Sequence, residues 1–249
     1  MNILAIETTG AAASVAVINE KGQIFEEVCR ETLNHLQFLM PMVEKVLEKS
    51  KLHINDLTAI AASEGPGSFT GIRIGVSSAR ALAQALKLEC ISVPTLKSFL
   101  FNKEEYQGIY CPIFNARRNQ VYGGAYKWGD SHSIQEVVEG KAYMLSEILD
   151  LLAQVLEKEQ NEVTFFGDGV EAYQSQIEEW QNSSLNSNIQ INFADAEARY
   201  QKSSSVAKLA LELYKEGKMC QFNDLRPNYM RKAEAERKLD EAKAAQDKR

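Results

Sequence analysis

The chain begins each of its two halves with the same local pattern, a pair of short apolar strands joined by a tight polar turn. The turns are Glu7–Gly10 and Asn115–Asn119. The flanking strands are Asn2–Ile6 with Ser14–Ile18, and Tyr110–Phe114 with Val121–Tyr126. Strands joined by so short a turn pair in antiparallel orientation. Because helices and strands then alternate in each half, the pattern predicts two small α/β domains side by side, each a mixed sheet with helices packed on it.

Hydrophobic periodicity predicts the remaining elements. In the first half these are a strand at Gln23–Cys29, a helix at Asn34–Ser50, a strand at Leu57–Ala62, a helix at Gly71–Leu86, a strand at Cys90–Val93 and a helix at Leu96–Phe101. In the second half they are helices at Ser146–Glu157, Val170–Trp180 and Ser203–Lys215, with a strand at Val163–Phe166. Ser203 or Ser204 is the expected N-cap of the last helix, and Gly217 is its expected C′ stop.

The expected domain organisation follows from these elements. Residues 1–101 form a first lobe, 102–202 a second lobe, and 203–231 a helix and closing segment that packs back on the lobes. Residues 232–249 are nearly all Ala, Glu, Lys, Asp and Arg without an apolar stripe, which predicts a solvated helix or disorder.

Composition narrows the class of protein. The 249 residues carry a net charge of -6, which argues against binding nucleic acid alone, because phosphate contacts need clustered Lys and Arg. The apolar runs are shorter than the roughly 18–20 residues that a membrane span needs. The four cysteines contain no C-x-x-C pair, which indicates free thiols in a reducing cytoplasm. His35, His53 and His132 lack metal-ligand spacing, so no metal is expected.

Two turns are candidate phosphate loops. The first comprises Thr8, Thr9 and Gly10, where hydroxyls and backbone N–H groups could cradle a phosphate and Gly10 would supply a positive φ. From these residues alone a plain hairpin is the better interpretation. The second comprises Gly167, Asp168 and Gly169, at the end of a strand and the start of a helix. A lone G-x-G is weak evidence for such a site.

The most specific stretch is the loop between the strand that ends near Ala62 and the helix that starts at Gly71. Its residues are Glu64, Gly65, Pro66, Gly67, Ser68, Phe69, Thr70 and Gly71. It is not a Walker A sequence, because no Gly-Lys-Ser/Thr ends it. A functionally shaped loop is slightly favoured over a turn that needs glycine for close backbone approach.

The first two long helices carry apolar side chains on more than one face. The core stripes are expected to be Leu36, Leu39, Met40, Val43 and Leu47 on one helix, and Ile72, Val76, Ala79, Leu82, Ala83 and Leu86 on the other. The second faces carry Phe38 and Met42 on one helix and Ile74, Ser78, Ala81 and Ala85 on the other. Burial under the second domain and a helix–helix interface with a partner chain both explain these faces.

Three segments resemble the TsaB (YeaZ) family. They are Ile3–Thr9, the loop Glu64–Gly75 and the late motif Arg226–Arg231, and they occur in the family's order from Met1 to about Arg231. The middle loop, which comprises Gly65 to Gly71 together with Arg73, is highly specific to that family. The resemblance implies a two-lobed fold of the actin, sugar-kinase and heat-shock ATPase (ASKHA) superfamily. It also implies a role in making threonylcarbamoyladenosine beside the anticodon of tRNA.

The resemblance further implies a non-catalytic subunit, cytoplasmic, that pairs with the homologous catalytic subunit TsaD and works with the ATPase TsaE. The catalytic paralogue binds metal through an H-x-x-x-H pair, and the matching positions here are Thr95 and Phe99, which cannot hold such a metal. The family's interface is formed by the two helices above, with a homodimer expected when the chain is alone. The implied partner-binding residues are His35, Phe38, Met42, Ile74, Ser78, Ala81 and Ala85.

Two hypotheses therefore remain open at the level of sequence. The favoured one is a scaffold subunit without a cofactor of its own, which reaches tRNA only through the complex while ATP is used by the wider assembly. The alternative is a small ASKHA kinase or ATPase that binds nucleotide at the two candidate phosphate loops. Glu7 stands where kinases of this superfamily usually carry Asp, which disfavours the alternative.

Overall fold

A computed structural model of the chain describes residues 1–29, 35–103, 108–130, 133–157, 162–183 and 188–230. It contains two mixed sheets with helices on their faces, as the sequence predicts, and each sheet has five strands. The strands are β1 (Asn2–Glu7), β2 (Ala13–Asn19), β3 (Ile24–Cys29), β4 (Ala59–Gly65), β5 (Glu89–Pro94), β6 (Ile109–Asn115), β7 (Gln120–Trp128), β8 (Ile134–Met144), β9 (Glu162–Phe166) and β10 (Gln190–Phe193). The helices are α1 (His35–Ser50), α2 (Phe69–Leu86), α3 (Thr95–Ser98), α4 (Leu145–Leu156), α5 (Gly169–Gln181) and α6 (Ser203–Lys215).

The two sheets are built in the same order. The first runs β3-β2-β1-β4-β5 and the second runs β8-β7-β6-β9-β10. In each sheet the central strand pairs antiparallel with the hairpin strand on one side and parallel with a later strand on the other. The chain therefore contains two copies of one structural unit. In the second copy, α4 occupies the place of α1 and α5 occupies the place of α2.

Both faces of the first sheet are buried, because successive residues of a strand point to opposite sides. Leu4 and Ile6 of β1 pack with α1 and α2, whereas Ile3 and Ala5 pack with α6 on the other face. Helix α6 follows the second sheet in the chain yet covers the first sheet, so it ties the end of one lobe to the body of the other.

The second lobe is tied to the first in the reciprocal way. The segment after β5, which is α3 with the 3₁₀ turn Phe99–Phe101, contacts strands of the second sheet. Phe99 is fully buried there, with ring centroids 5.6 Å from Phe114 and 5.8 Å from Phe166. Tyr110 stacks on Phe166 with 5.4 Å between ring centroids. These aromatic rings form the core between the lobes.

Two strands were missing from the prediction. Strand β8 exposes many of its 11 residues and carries two glutamates and a lysine, so its apolar alternation is weak. Pairing with β7 at the edge of the sheet determines its conformation instead. Strand β10 has only 4 residues and is the opposite edge. Its burial is partial along its whole length, so neither missed strand carries the alternation of buried and exposed residues by which strands are predicted.

Two details of the helices differ from the prediction. On α1, Met42 is buried in the core and Met40 is 40% exposed, the reverse of what was expected, because the buried stripe runs through Leu39, Val43 and Val46. On α6, Ser203 is the first helical residue rather than the N-cap.

The N-terminus of α6 is stabilised from another element. The carboxylate of Glu26 on β3 accepts hydrogen bonds from the Ser203 hydroxyl and from the backbone N–H of Ser204. The backbone N–H of Ser203 donates to the hydroxyl of Ser14. At the other end Gly217 has φ +72° and follows the C-cap Glu216, as expected for a C′ glycine.

The predicted charged tail, residues 232–249, lies outside the described residues. The chain before it, from Cys220 to Met230, runs beside the first sheet. Cys220 exchanges both backbone hydrogen bonds with Cys90 of β5, at N···O distances of 2.8 and 2.9 Å. Leu225 is fully buried in the core under α1 and α2.

Candidate functional site

The family loop between β4 and α2 packs directly on the β1–β2 turn. A Cβ atom at Gly71 would lie 1.9 Å from the carbonyl oxygen of Thr8, and one at Gly75 would lie 2.4 Å from the Thr8 hydroxyl. A Cβ atom at Gly67, which has φ +153°, would lie 2.6 Å from the carbonyl oxygen of Thr9. The glycines of this loop are therefore required for close backbone approach, the interpretation that the sequence slightly disfavoured.

The β1–β2 turn is organised around a buried carboxylate. Glu7 is fully buried, and its carboxylate accepts hydrogen bonds from the backbone N–H and hydroxyl of Thr9 and from the hydroxyl of Ser63. Burial raises the pKa of the Glu7 carboxyl above its ordinary value of 4.5, since removal from water disfavours the ionised form more than these hydrogen bonds favour it.

The first candidate phosphate loop has its donors in use. The Thr8 hydroxyl donates to the carbonyl oxygen of Gly71, and the donors of Thr9 go to Glu7. Gly10 does not adopt a positive φ, which corrects the prediction. A Cβ atom there would lie 2.9 Å from the side-chain oxygen of Gln201, the end of a flexible side chain that can move, so this contact does not require glycine. A phosphate at this turn would meet a carboxylate and a closed set of hydrogen bonds, so the residues present do not fit it.

An open cleft of about 670 Å³ lies beside this turn, between the first sheet and the segment before α6. Its lining includes the carboxylates of Glu26 and Glu197, the amine of Lys202, and the small side chains of Ala11 and Ala12. Two acidic side chains against one basic side chain disfavour an anionic ligand in this cleft.

The second candidate phosphate loop is also used for packing. Gly167, at φ +88°, and Gly169 lie against the carbonyl oxygen of Ile113, where Cβ atoms would approach to 2.2 and 2.8 Å. The Asp168 carboxylate accepts a hydrogen bond from the backbone N–H of Asn115, and burial is the main cause that raises the pKa of Asp168. Asp168 thus joins β6 to the start of α5.

The positions that match the metal-binding pair of the catalytic paralogue do not fit a metal. Thr95 is fully buried, and its hydroxyl accepts a hydrogen bond from the backbone N–H of Gly65 at 3.1 Å. Phe99 belongs to the aromatic core between the lobes. Across the described ranges, no three His, Cys, Asp or Glu residues cluster as metal ligands do. Within those ranges no helix is both long and apolar enough to cross a bilayer.

Helices α1 and α2 lie side by side on the outer face of the first sheet. On α2, Ala81 and Ala85 are exposed, whereas Ile74 and Ser78 are half-buried. On α1, Phe38 is half-buried and packs on the core. The side chain of His35 lies outside the described residues. Met42, as noted, is not part of this surface. The small residues on α2 leave its backbone open to close approach by another helix.

The internal repeat provides a comparison for this surface. Helix α5 occupies in the second lobe the place of α2 in the first. Its exposed residues are Glu171, Ala172, Gln174, Ser175, Gln176 and Glu179. Those of α2 are Thr70, Arg73, Ser77, Ala81, Gln84 and Ala85, with no acidic side chain among them. The exposed side of α5 thus carries two carboxylates, whereas that of α2 carries one cation and mostly small or uncharged side chains.

The two most distant family motifs meet on this side of the molecule. The backbone N–H of Asn228 donates to the carbonyl oxygen of Glu64, and Gly65 approaches the Asn228 carbonyl. Tyr229 stacks on Phe69 with ring centroids 4.5 Å apart. The guanidinium of Arg73 lies over the Phe69 ring at 4.1 Å, and its Nε donates to the Tyr229 hydroxyl at 2.9 Å.

The sequence did not predict this contact. The spacing of the two motifs carries no signal of proximity, because they lie about 160 residues apart in the chain. A cation–π contact at an exposed site contributes about 0.5–1 kcal/mol, so the motifs stabilise one another in a modest way. We refer to Phe69, Arg73 and Tyr229 as the arginine–aromatic cluster.

Comparisons with known proteins agree with the fold and the motifs. A family model described as "TsaD: tRNA N6-adenosine threonylcarbamoyltransferase" matches residues 17–239. The chain is 32% identical to the Bacillus subtilis "tRNA threonylcarbamoyladenosine biosynthesis protein TsaB" over 97% of this chain and 99% of the relative.

Solved structures share the architecture. A Pseudomonas aeruginosa protein described as similar to "peptidase YEAZ" aligns with a TM-score of 0.74 at 21% identity, over 92% of this chain and 99% of that chain. The Lmo2764 protein of Listeria monocytogenes, named as an N-acetylmannosamine kinase, aligns with a TM-score of 0.50 at 12% identity, over 86% and 100% of the two chains.

The two five-stranded sheets, each covered by an element from the other half of the chain, define a two-lobed fold of the ASKHA type, which the Listeria monocytogenes structure shares. The sequence match, which extends over nearly the full length of both chains, then identifies the family. The chain belongs to the TsaB (YeaZ) family.

Proposed function

We propose that this chain is a scaffold subunit for threonylcarbamoyl transfer to the adenosine next to the anticodon of tRNA, and that it acts by pairing with a homologous catalytic subunit of the TsaD type. The observation that carries the proposal is the small, nearly uncharged outer face of α2 beside α1, in a chain whose relatives are named for threonylcarbamoyladenosine biosynthesis. A solvent-facing helix of a lone protein would more commonly resemble α5.

The proposal assigns the chemistry to the partner. Attack of the adenine amine on threonylcarbamoyl-AMP needs a site that binds the adenylate and positions the acceptor. In this chain, both candidate phosphate loops use their donors and glycines for internal packing, and Thr95 and Phe99 offer no metal ligand. The scaffold would act by favouring one arrangement of the partner's lobes, which requires contacts that differ between two states.

The test replaces one alanine on each of two equivalent helices. Ala81→Arg should weaken pairing with the cognate TsaD subunit by about a hundredfold or more, because a guanidinium would hold the helices apart and would be desolvated without a partner. Ala172→Arg introduces the same side chain at an exposed position of α5 and should pair like the wild type. Affinities measured by calorimetric titration of the full-length chains give both results.

Equal affinity of Ala81→Arg and the wild type would contradict the assignment of the surface. A homodimer through the same helices is a competing use of this face, and the proposal expects the Ala81→Arg chain to be monomeric in analytical ultracentrifugation as well.

A further inference from the structure

We infer that the arginine–aromatic cluster is an anchor point for a carboxylate of the partner protein that docks on α2. This inference rests on the proposed function, because it extends the same helix face. Arg73, Ser77 and Ala81 follow one another at four-residue intervals, so they form one row along the exposed side of α2. At a rise of about 1.5 Å per residue, Arg73 lies roughly 12 Å from Ala81 along this row, within the length of one docked helix.

The guanidinium is oriented but not neutralised. Its Nε donates to the Tyr229 hydroxyl, and its Cζ lies 4.1 Å from the ring centroid of Phe69 and 5.7 Å from that of Tyr229. Within the part of the chain that the structure describes, the two terminal nitrogens form no hydrogen bond. Among the described residues, Arg73 forms no ion pair. The terminal nitrogens of a guanidinium form a planar fork that matches the two oxygens of a carboxylate.

The backbone segments that carry the cluster are held in place by hydrogen bonds. Asn228, next to Tyr229, donates from its backbone to the carbonyl oxygen of Glu64 at 2.7 Å, and Gly65 is held in turn by Thr95. Tyr229 is nevertheless 39% exposed, which is high for a large aromatic residue. Arginine and tyrosine held in place before binding lose little side-chain freedom on binding, and both are enriched among residues that dominate interface energies.

The charge balance favours a protein carboxylate over an RNA phosphate. Binding to a nucleic-acid backbone uses several cations arranged along the strand, whereas the exposed face of α2 presents Arg73 beside small and uncharged residues. The same row continues from Arg73 to Ser77 and Ala81, whose small side chains allow a partner helix to pack closely. One carboxylate on the partner would complete the row at its charged end.

The test measures pairing with the cognate TsaD subunit at low and high salt. Arg73→Gln should weaken pairing about tenfold or more at low salt and should reduce its dependence on salt. Arg73→Lys keeps the charge without the fork and should restore the salt dependence but only part of the affinity. Tyr229→Phe removes only the hydroxyl that positions Arg73 and should give an intermediate loss.

Lys215→Gln serves as the matched control, since it removes one exposed cation from α6 on the opposite face of the first sheet. It should leave the affinity unchanged.

If Ala81→Arg abolishes pairing while Arg73→Gln keeps wild-type affinity and salt dependence, the anchor is wrong and the proposed function stands. If Arg73→Gln pairs normally but the complex loses affinity for tRNA, the residue binds RNA and the inference is overturned. If the wild type does not pair with TsaD, both fail.

Discussion

Glu7 shows how a single residue can turn a loop with phosphate-binding composition into a structural one. Its carboxylate receives both donors of Thr9 and the hydroxyl of Ser63, so the turn is closed around an acid rather than open toward a ligand. The residue types at this turn were readable from the sequence. Their internal pairing was not, because it depends on Ser63, 56 residues away.

The buried acid gives a prediction about pH. The pKa of Glu7 is raised in the folded chain above 4.5, so its contribution to stability is full below that pH and is lost as the pH rises through the folded-state pKa. Glu7→Gln keeps acceptors for Thr9 and removes the titration. The free energy of unfolding of Glu7→Gln, relative to the wild type, should therefore increase between pH 4.5 and pH 8.

Urea denaturation at several pH values measures this difference. Glu48→Gln, at an exposed position of α1, is the control and should show little pH-dependent difference. If the stability of Glu7→Gln relative to the wild type falls with rising pH, the hydrogen bonds to the Glu7 carboxylate lower its pKa more than burial raises it, and the prediction is wrong.

At the scale of elements, long helices and buried strands were predictable, because burial imposes a period on the sequence. Helices α1 and α2 and strands β1, β4 and β6 fall where the apolar pattern puts them. Strands β8 and β10 were missed because pairing at a sheet edge leaves their side chains partly in water. The register of Met40 and Met42 was wrong because α1 is apolar on two sides and the pattern alone did not choose between them.

The close packing of α2 on the β1–β2 turn predicts that Gly71→Ala destabilises the protein, although helix propensity alone predicts that it stabilises it. Gly71→Ala would favour the helix by about 1 kcal/mol on propensity alone. Its Cβ atom would, however, lie 1.9 Å from the Thr8 carbonyl oxygen. The variant should therefore lose about 1–3 kcal/mol of unfolding free energy.

Ser77→Ala, an exposed change on the same helix, should stay within about 0.5 kcal/mol of the wild type. Chemical denaturation followed by circular dichroism compares the two variants. A Gly71→Ala chain as stable as Ser77→Ala would show that α2 can move away from the turn without cost.

At the scale of the whole molecule, the two lobes share one topology and differ in what they show to solvent. One face of each sheet is covered by an element from the other half of the chain. Helix α6 packs on the first sheet, and α3 with its 3₁₀ turn packs on the second. The repeat of strands and helices was predictable from the sequence. The exchange of covering helices was not, because a helix pattern records that one face is buried and not which sheet buries it.

The sequence and the structure contribute different parts of the candidate site. The apolar second face of α2 could be read from the spacing of Ile74, Ser78, Ala81 and Ala85, although its use as an interface stays a prediction. The arginine–aromatic cluster could not be read in this way, because Tyr229 reaches α2 only through the fold. The scaffold account joins both, with a packed helix face at one end and a charged anchor at the other.

The central claim is tested most directly by reconstituted threonylcarbamoylation of tRNA with the cognate TsaD and TsaE, in the presence and absence of this chain. The account predicts that modification depends on the chain, that Ala81→Arg fails to support it, and that the chain alone neither modifies tRNA nor hydrolyses ATP. Modification that proceeds equally well without the chain, or ATP hydrolysis by the isolated chain, would contradict the account.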